Sequence, residues 1–552
     1  MTDQAPMDVV LCWHMHQPDY RLQGSYTKPW TWLHAIKDYT DMAAHLEEIP
    51  GARAVVNFSP VLIEQLQDYP VRIRNLFEHG ETIGDPLLDA LFDQTQFDHQ
   101  QLLPKLVRVN EARINKRFEV YARLFDRANE AMGGGSPLED HELTDLLVWY
   151  VIVWLGESLR EVPLVTELSF RETGFSQDDR HWLLSLIADT IDDILPRYRR
   201  LAESGRVELS ITPYSHPILP LLEDFGSAHE AMPDAPLPES SYPDGHERCQ
   251  WHMAEARRVF VDAFGHEPAG CWPSEGGLSY AALKVIGEHQ FSWAASGSKV
   301  LYNSLSRTDH PQPAFPQLSP WRSVGENLPA CFFRDDGLSD LIGFEYSKWP
   351  ADDAVDDFIA RLDDLRKKCQ QAGQASPVLS IIMDGENAWE YYPENGWDFL
   401  QALYQKLSDH PSLRLTTFSD VLQETTPETL PFICAGSWVY GTFSTWVGSP
   451  AKNRAWDLLT EAAHAVREAG KLKDPAVMRQ LAICEASDWF WWLSEKEQSA
   501  DELAFDTLFR CQITELYRMI GVSPPAQLDA TVGGQGVNSD HGLSAGTMRR
   551  SN

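Results

Sequence analysis

Short apolar runs alternate with longer segments of helical periodicity over most of the chain. The runs have the length and composition of strands buried on both faces, and they lie near residues 8–13, 53–58, 206–212, 269–272, 291–295, 330–334 and 377–383. Strands and helices that alternate in this way are typical of a parallel β/α sheet. The hydrophobic pattern therefore predicts an α/β protein built on a parallel barrel.

Two regions depart from this alternation. Helical periodicity around 104–130, 141–157 and 177–203 predicts a helical insertion between two barrel strands, over residues 60–200. Helical periodicity at 451–469, 475–494 and 499–520 predicts a small C-terminal helical bundle. We therefore divide the chain into a barrel over 1–425, a helical region over 426–523 and a disordered tail over 524–552, where Gly, Ser, Asn and Asp dominate.

Carboxylates follow two of the predicted strands. Asp384 comes directly after the apolar run 378–383, and Glu275 follows the short strand that ends near Trp272. We expect both acids on one rim of the barrel, because parallel strands bring their carboxyl ends together. A helix cap at Asp384 and a helix-dipole acid at Glu275 are the structural alternatives. Glycoside cleavage requires such a pair, one carboxyl protonated and the other ionised.

Histidines follow two further strands. His14 and His16 end the first strand on one face, and the strand near 206–212 runs into Tyr214 and His216. The His-x-His spacing suits a metal pair, and it equally suits imidazoles that donate hydrogen bonds to sugar hydroxyls. A backbone-bonded loop histidine is the structural alternative for His216.

These motifs, taken in order, resemble those of glycoside hydrolase family 57, an α-glucan-active family of amylases, glucanotransferases, branching enzymes and amylopullulanases. The similarity covers about residues 7–495, and the subgroup is the one loosely described as α-amylase or α-mannosidase. The motifs are His14-Met15-His16-Gln17-Pro18, the segment 205–220, Trp272-Pro273-Ser274-Glu275, Met383-Asp384-Gly385-Glu386-Asn387 and the aromatic run 487–492.

The resemblance implies a fold and a set of site residues. The fold is an incomplete (β/α) barrel of seven strands followed by a helical region. Glu275 is expected to be the nucleophile and Asp384 the general acid/base of a retaining mechanism. The expected substrate-binding residues are His14, His16, His34, Tyr214, His216, Trp272, Glu386, Trp389, Trp438, Asp488 and Trp489. We predict no metal ligand and no cofactor.

One residue departs from the family pattern. Trp32 occupies a position where the resemblance leads us to expect arginine, which suggests a stacking surface there. In the C-terminal run, Trp489 and Trp492 are three residues apart and share a helical face, which leaves Trp491 on another. Either these tryptophans pack against the barrel, or one of them forms a sugar platform.

The composition of the chain limits the classes of molecule that it is expected to bind. A formal net charge of −35, from 46 basic and 81 acidic residues, disfavours nucleic acid and anionic membranes and is compatible with neutral glucan. The eight cysteines are scattered without C-x-x-C spacing, and the first residues lack a basic segment followed by an apolar one. We therefore predict a cytoplasmic protein, and its oligomeric state is left open.

The predicted activity is that of an α-amylase-type hydrolase of α-1,4-glucans such as malto-oligosaccharides and glycogen- or starch-derived chains. The motifs do not separate hydrolysis from 4-α-glucanotransferase or branching activity, because both pass through a glycosyl-enzyme. A zinc-dependent α-mannosidase or deacetylase with His14 and His16 as ligands is a more distant alternative. A glucan-binding protein without catalysis is disfavoured by the presence of both acids.

Overall fold

The computed structural model describes residues 6–493 and 500–533. Seven parallel strands form a barrel at its centre. In chain order they are β1 (Met7–Met15), β2 (Ala54–Phe58), β3 (Val207–Ile211), β4 (Gly270–Cys271), β5 (Trp293–Gly297), β6 (Ala330–Arg334) and β7 (Val378–Asp384). Each corresponds to one of the predicted apolar runs, so the predicted seven-stranded β/α barrel is confirmed.

The pairing of the strands brings the site motifs to one rim. β1 pairs with β7 from Asp8 opposite Val378 to His14 opposite Asp384. β1 also pairs with β2, and the ladder continues through β3, β4, β5 and β6 in chain order. One bridge, Ser380 to Arg334, joins β7 to β6 and completes the barrel. Because all seven strands are parallel, their carboxyl ends meet at the same edge.

The interior of the barrel is filled from alternating positions. Val10 and Cys12 of β1 contact Trp293, Phe332 and other apolar side chains inside the ring of strands, whereas the intervening residues of β1 pack outward. All nine residues of β1 are buried. Since His14 follows Cys12 by two positions, alternation places its imidazole above this apolar plug, at the mouth of the barrel.

Further short strands flank the barrel. Trp321–Ser323 pairs antiparallel with β6 and parallel with Glu428–Leu430, and Leu413–Leu415 pairs with β1. Arg21–Leu22 and Ser25–Tyr26 form a separate hairpin. The helices around the barrel are Trp30–His34, which continues through the π-helical Ala35–Tyr39 into Thr40–Glu48, then Pro60–His79, Leu219–Glu223, Gly245–Phe264, Tyr280–Glu288, Ser298–Leu305, Asp336–Asp340, Ala351–Gln371, Trp397–Ser408 and Phe418–Glu424.

Helices fill the long connection between β2 and β3. Beyond Pro60–His79 they are Pro86–Phe92, His99–Leu106, Glu111–Arg117, Glu119–Met132, Asp140–Trp154, Glu157–Arg160, Pro163–Arg171 and Gln177–Glu203. The last of these has the predicted bounds. The predicted helix over 104–130 is three helices, because the chain leaves helical geometry at Val107 and again at Phe118 while the apolar periodicity continues.

The C-terminal helices are Pro450–Glu468, Pro475–Cys484, Ser487–Trp492 and Ala500–Ile520. The predicted helix over 475–494 is broken at Ala486, whose backbone is extended, with ψ of 140°. Next to the break, the buried Glu485 carboxylate accepts hydrogen bonds from Arg248 Nε at 2.8 Å and Nη2 at 2.5 Å. This ion pair joins the helical region to the barrel helix Gly245–Phe264.

The predicted tail lies mostly outside the described residues. At its start, Ala526–Asp529 form a 3₁₀ turn, and the Val532 amide donates to Asp506 Oδ2 at 3.0 Å. No helix among the residues that the structure describes is long and apolar enough to cross a membrane. All eight cysteines are free, and seven of them are buried.

Candidate active site

The two predicted catalytic acids lie at the rim of the barrel and line one cavity. Asp384 is the last residue of β7. Glu275 lies in the turn Ser274–Gly276 after β4, and its φ of 57° and ψ of 24° fall in the left-handed region. A non-glycine residue in this region is strained and is held there by its surroundings, which is common at functional sites.

The carboxylate of Glu275 receives a hydrogen bond from outside the barrel strands and has two further polar neighbours. Trp438 Nε1 donates to its Oε2 at 3.0 Å, and the Ser487 hydroxyl lies 3.4 Å from its Oε1. His216 Nδ1 lies 3.9 Å from the same Oε1. Trp438 reaches this place because Gly297 has no side chain: a Cβ at that position would lie 2.7 Å from the Trp438 Cα.

The carboxylate of Asp384 has different neighbours. Asn387 Nδ2 donates to its Oδ2 at 3.0 Å. Burial raises the pKa of Asp384, while the Asn387 hydrogen bond and the charges of His16 and Arg334 act in the opposite direction. Burial, and then repulsion from Asp384, raises the pKa of Glu275 to about 8. The two acids are therefore coupled, and at neutral pH they favour holding a proton between them.

His14 and His216 form a chain of neutral imidazoles. The Asn57 side chain is oriented by Thr212, whose hydroxyl donates to Asn57 Oδ1 at 2.8 Å, so His14 Nδ1 donates to the same oxygen at 2.7 Å. His14 Nε2 then accepts from His216 Nε2 at 3.1 Å, and His216 Nδ1 accepts from the Ser487 hydroxyl at 2.8 Å. Burial lowers the pKa of His14 to about 3 and that of His216 well below its usual range.

His16 binds across to the helical region. Its Nε2 lies 2.9 Å from Asp488 Oδ1, and its Nδ1 lies 2.7 Å from the Ser59 hydroxyl. Ser487 and Asp488 begin the short helix Ser487–Trp492, and the Ser487 amide donates to the His216 carbonyl at 2.9 Å. The helical region therefore supplies polar groups to the same cavity as the barrel.

The three histidines are also the one group of potential metal ligands that the described residues bring together. Suitable atoms of His14, His16 and His216 lie within 4.8 Å of one another. The rings of His16 and His216 stack, with centroids 3.9 Å apart and planes 16° from parallel. Ring nitrogens bind metals in the plane of the imidazole, so stacked rings do not direct their lone pairs at a common point. In this arrangement the ring nitrogens already have hydrogen-bond partners, which is the pattern of a hydrogen-bonding cluster.

Several buried polar atoms around the cavity have no partner among the described residues. They are the indole nitrogen of Trp272 and one carboxylate oxygen each of Glu386 and Asp488, all in side chains that line the cavity. Buried polar groups are almost always hydrogen-bonded in folded proteins. One donor and two acceptors without protein partners, in side chains that line one cavity, suit a ligand with several hydroxyl groups.

Most predicted site residues line this cavity. Those that do are His14, His16, His34, His216, Trp272, Glu275, Asp384, Glu386, Trp438 and Asp488. Further lining residues that the sequence did not predict as binding residues are Gln17, Pro18, Tyr20, Trp30, Arg108, Asn387, Glu390, Trp491, Trp492, Asp501 and Phe505. Seven of these 21 side chains are aromatic rings other than histidine, namely Tyr20, Trp30, Trp272, Trp438, Trp491, Trp492 and Phe505.

Three predicted binding residues lie elsewhere. Tyr214 is buried and its hydroxyl lies 3.0 Å from Glu64 Oε2, in a cluster with Arg479. Trp389 is buried, and its Nε1 donates to the Gly385 carbonyl at 2.9 Å. Trp489 is buried as well and donates to the Ile483 carbonyl at 2.7 Å. Each ring packs in the protein interior instead of lining the cavity.

The expectation of a stacking surface at Trp32 is wrong. Trp32 is fully buried, and its Nε1 donates to Asp85 Oδ2 at 3.1 Å. Trp30, two residues earlier in the same helix, lines the cavity. Residues two apart on a helix point in nearly opposite directions, so Trp30 lies on the cavity side of this helix and Trp32 on the side facing the interior.

Together, a closed parallel barrel, paired carboxyls on its carboxyl-end rim and aromatic walls define a glycosidase-type carbohydrate-active enzyme. The sequence model of glycosyl hydrolase family 57 matches residues 10–434. The chain belongs to this family, and the predicted enzyme class is confirmed. A search of curated proteins found no match.

Solved structures share the fold. The α-amylase AmyC from Thermotoga maritima superposes with a TM-score of 0.58 at 14% identity, covering 94% of each chain. A family 57 branching enzyme from Thermococcus kodakaraensis gives 0.58 at 14% identity, covering 93% of this chain and 90% of that one. A 4-α-glucanotransferase from Thermococcus litoralis gives 0.51 at 13% identity, covering 94% and 60%.

Proposed function

We propose that the protein is a retaining glycoside hydrolase of α-1,4-glucans, such as malto-oligosaccharides and glycogen- or starch-derived chains. The observation that carries the proposal is the pair Glu275 and Asp384, which stand at the rim of the barrel and line one cavity with aromatic walls. Family membership, and the amylase, branching enzyme and glucanotransferase among the structures with this fold, support the substrate class.

The proposed reaction has two displacements. In the first, Asp384 gives its proton to the glycosidic oxygen as that bond breaks, and a Glu275 carboxylate oxygen forms a bond to the anomeric carbon. In the second, Asp384 takes a proton from water, whose oxygen replaces Glu275 on the same carbon. Two inversions leave the anomeric configuration unchanged.

The charge state of the acids suits this sequence. A retaining mechanism starts with one proton on the pair, and the raised pKa values of both carboxyls favour that state at neutral pH. The pKa of about 8 favours Glu275 as the holder of this proton at neutral pH, whereas the nucleophile must be ionised. We propose that the proton moves to Asp384 when substrate binds, leaving Glu275 ionised with the hydrogen bond from Trp438 Nε1.

The unpartnered atoms assign binding roles. Trp272 Nε1 would donate to a sugar hydroxyl, while Glu386 and Asp488 would accept from hydroxyls. The aromatic walls would stack on the C–H faces of glucose units. His14 and His216, both neutral, would hold the rim in place beside Glu275 and need no metal for this role.

Glucan transfer is the second candidate. The T. kodakaraensis and T. litoralis structures are titled as a branching enzyme and a 4-α-glucanotransferase, and transfer differs from hydrolysis only in the acceptor of the second displacement. Trp491 and Trp492, on the helical wall of the cavity, offer rings on which an acceptor chain could stack.

One experiment separates these activities. The purified protein is incubated with maltoheptaose, and the products are resolved by chain length. Shorter products alone indicate hydrolysis, and products both shorter and longer than the substrate indicate transfer. No product with any α-glucan would contradict the proposal. Stoichiometric zinc that is lost together with activity on chelation would favour the metal alternative.

Two finer features complete the proposal. Sugar released from an α-linked substrate is expected first as the α-anomer, and initial release of the β-anomer in proton NMR would exclude double displacement. We also propose a cytoplasmic location, which the eight free cysteines support, since thiols stay reduced in that compartment.

A further inference from the structure

A second cavity lies beside the catalytic one. Glu390 lines both, so the two share a wall. The second cavity is bounded by the helix Glu111–Arg117, by the end of the helix Asp140–Trp154 and by the segment after β7 that contains Tyr392. The proposed glycosidase reaction assigns it no role.

The charge of this cavity is opposite to that of the chain. Its ionisable lining residues are four bases and two acids: Lys37, Arg113, Lys116, Arg117, Glu390 and Glu394. The whole chain has 46 basic and 81 acidic residues. A concave surface with an excess of positive charge in an acidic protein attracts small anions selectively.

Two of the bases have no acidic partner. Arg117 is paired with Glu157 at 2.7 Å, and Lys37 Nζ lies 3.6 Å from Glu390 Oε1. Among the residues that the structure describes, Arg113 and Lys116 form no ion pair with a carboxylate. Arg113 donates one bond, from Nη2 to the Ser347 carbonyl at 2.9 Å. The rest of its guanidinium and the Lys116 ammonium are left for a ligand.

The wall of the cavity also has features that suit a sugar. Trp154 lines it while only 6% exposed, and Lys37 Nζ lies 4.5 Å from the centre of its ring. Tyr392 lines the cavity as well. Aromatic rings in a cavity wall offer apolar contact to the C–H groups of a sugar.

We propose that this cavity binds a glucose unit that carries a phosphoryl group. Arg113 and Lys116 hold the phosphoryl oxygens, because a guanidinium fork and an ammonium are the preferred protein partners of phosphate. Trp154 faces the sugar. A free glucose phosphate and a phosphorylated unit within a glucan have this chemistry in common.

The position of this cavity would allow a bound ligand to affect the catalytic site. Lys37 and Asp38 belong to the π-helical segment Ala35–Tyr39. Asp38 Oδ2 lies 3.5 Å from Lys37 Nζ and accepts from His34 Nδ1 at 2.6 Å. His34 lines the catalytic cavity, so this short chain of contacts connects the two sites.

Isothermal titration calorimetry on the whole protein tests the proposal. The ligands are glucose 1-phosphate, glucose 6-phosphate, maltoheptaose phosphorylated at one unit, inorganic phosphate and glucose. We expect at least one phosphorylated sugar to bind about tenfold or more tightly than inorganic phosphate and glucose. A double variant, Arg113→Ala with Lys116→Ala, should weaken that binding by about tenfold or more.

Arg123→Ala is the matched control. Arg123 lies on the neighbouring helix Glu119–Met132 with 63% of its side chain exposed, and it does not line the cavity. This variant should bind the phosphorylated sugar as the wild type does, and the double variant should keep the wild-type unfolding temperature.

Three results would overturn the proposal. Glucose could bind as tightly as the phosphorylated sugars, or the double variant could bind the phosphorylated sugar as the wild type does. Maltoheptaose could also displace the phosphorylated sugar, which would place that ligand in the catalytic cavity. If inorganic phosphate binds as tightly as the phosphorylated sugars, the cavity recognises the phosphoryl group alone and the proposed sugar contact is wrong. Binding of the monosaccharides identifies a free sugar phosphate as the ligand, and binding of the phosphorylated maltoheptaose alone identifies a glucan-borne group. Glucose 6-phosphate has no glycosidic bond to cleave, so its binding is measured without turnover, and failure of the proposed hydrolysis leaves that result intact.

Discussion

The two sides of the catalytic cavity are built differently. On the barrel side, Glu275 and Asp384 stand at strand ends that are fixed by the barrel ladder and an apolar interior. On the helical side, Ser487 and Asp488 come from a six-residue helix that is fixed by hydrogen bonds to His216 and His16. The barrel thus supplies the acids proposed to react, and the helical region supplies groups that orient the residues around them.

This division implies a large difference in the effect of mutation on the two sides. Glu275→Gln and Asp384→Asn keep the shape of each side chain and remove the charge or proton that each step requires. Each variant should lose about a thousandfold or more in kcat on maltoheptaose with the fold intact. Glu267→Gln is the control, since its carboxylate is 59% exposed and pairs with Arg257. Near-wild-type turnover of either acid variant would disprove the assignment.

The connection between the two sides offers the second test. Glu485 of the helical region is fully buried against Arg248 and His252 of a barrel helix. Glu485→Gln leaves the Arg248 charge buried without a carboxylate, which costs about 3–5 kcal/mol of unfolding free energy. Chemical denaturation measures this cost, with the exposed Glu468→Gln as the control. Equal stability of the two variants would show that this pair does not hold the helical region to the barrel.

The same buried contact of Glu485 with Arg248 and His252 should make the protein less stable at acidic pH. Burial alone raises the pKa of Glu485, but Arg248 and His252 lower it to about 2, below the ordinary 4.5. The contribution of the pair is therefore complete above about pH 4.5 and is lost as the pH falls towards 2. Thermal unfolding at pH 3 and pH 6 should differ less in Glu485→Gln than in the wild type. An identical pH dependence in both proteins would contradict the lowered pKa.

The barrel side could be predicted from the sequence because its signals are local. An apolar run that ends in a polar cluster indicates a strand whose end lies at the rim of the barrel. This pattern identified residues that line the cavity, namely Glu275, Asp384, His14, His16 and His216. The observed barrel strands correspond to the predicted runs because burial on both faces requires continuous apolar residues.

The helical side could be predicted only in part, since helical periodicity does not say which face meets the barrel. Trp489 was expected to bind sugar and is buried, while Trp491 lines the cavity two positions later. Arg108 and Asp501 line the cavity together and form an ion pair across 393 residues of sequence. No local pattern marks such a contact, because it depends on how the insertion and the C-terminal helices pack.

The proposed nucleophile should make the folded protein less stable at alkaline pH. The pKa of Glu275 is raised to about 8 in the folded state, above its ordinary 4.5, so the folded state holds this proton between those pH values and the unfolded state does not. Stability is therefore lost as the pH rises from 4.5 to 8. Glu275→Gln should raise the unfolding temperature at pH 8 more than at pH 5. An equal gain at both pH values would show that the carboxyl titrates normally.

The smallest expected effect lies on the helical side and tests the comparison most directly. Asp488→Asn keeps a hydrogen-bond acceptor for His16 but removes the negative charge beside it. Because Asp488 is proposed to bind sugar and orient His16 without taking part in bond breaking, we expect kcat/KM to fall about tenfold. Asp529→Asn, in the turn Ala526–Asp529 and outside the cavity lining, serves as the control. A loss as large as that of Asp384→Asn would mean that the reacting acids are not confined to the barrel, since a residue that only orients cannot cost as much as one that transfers the proton.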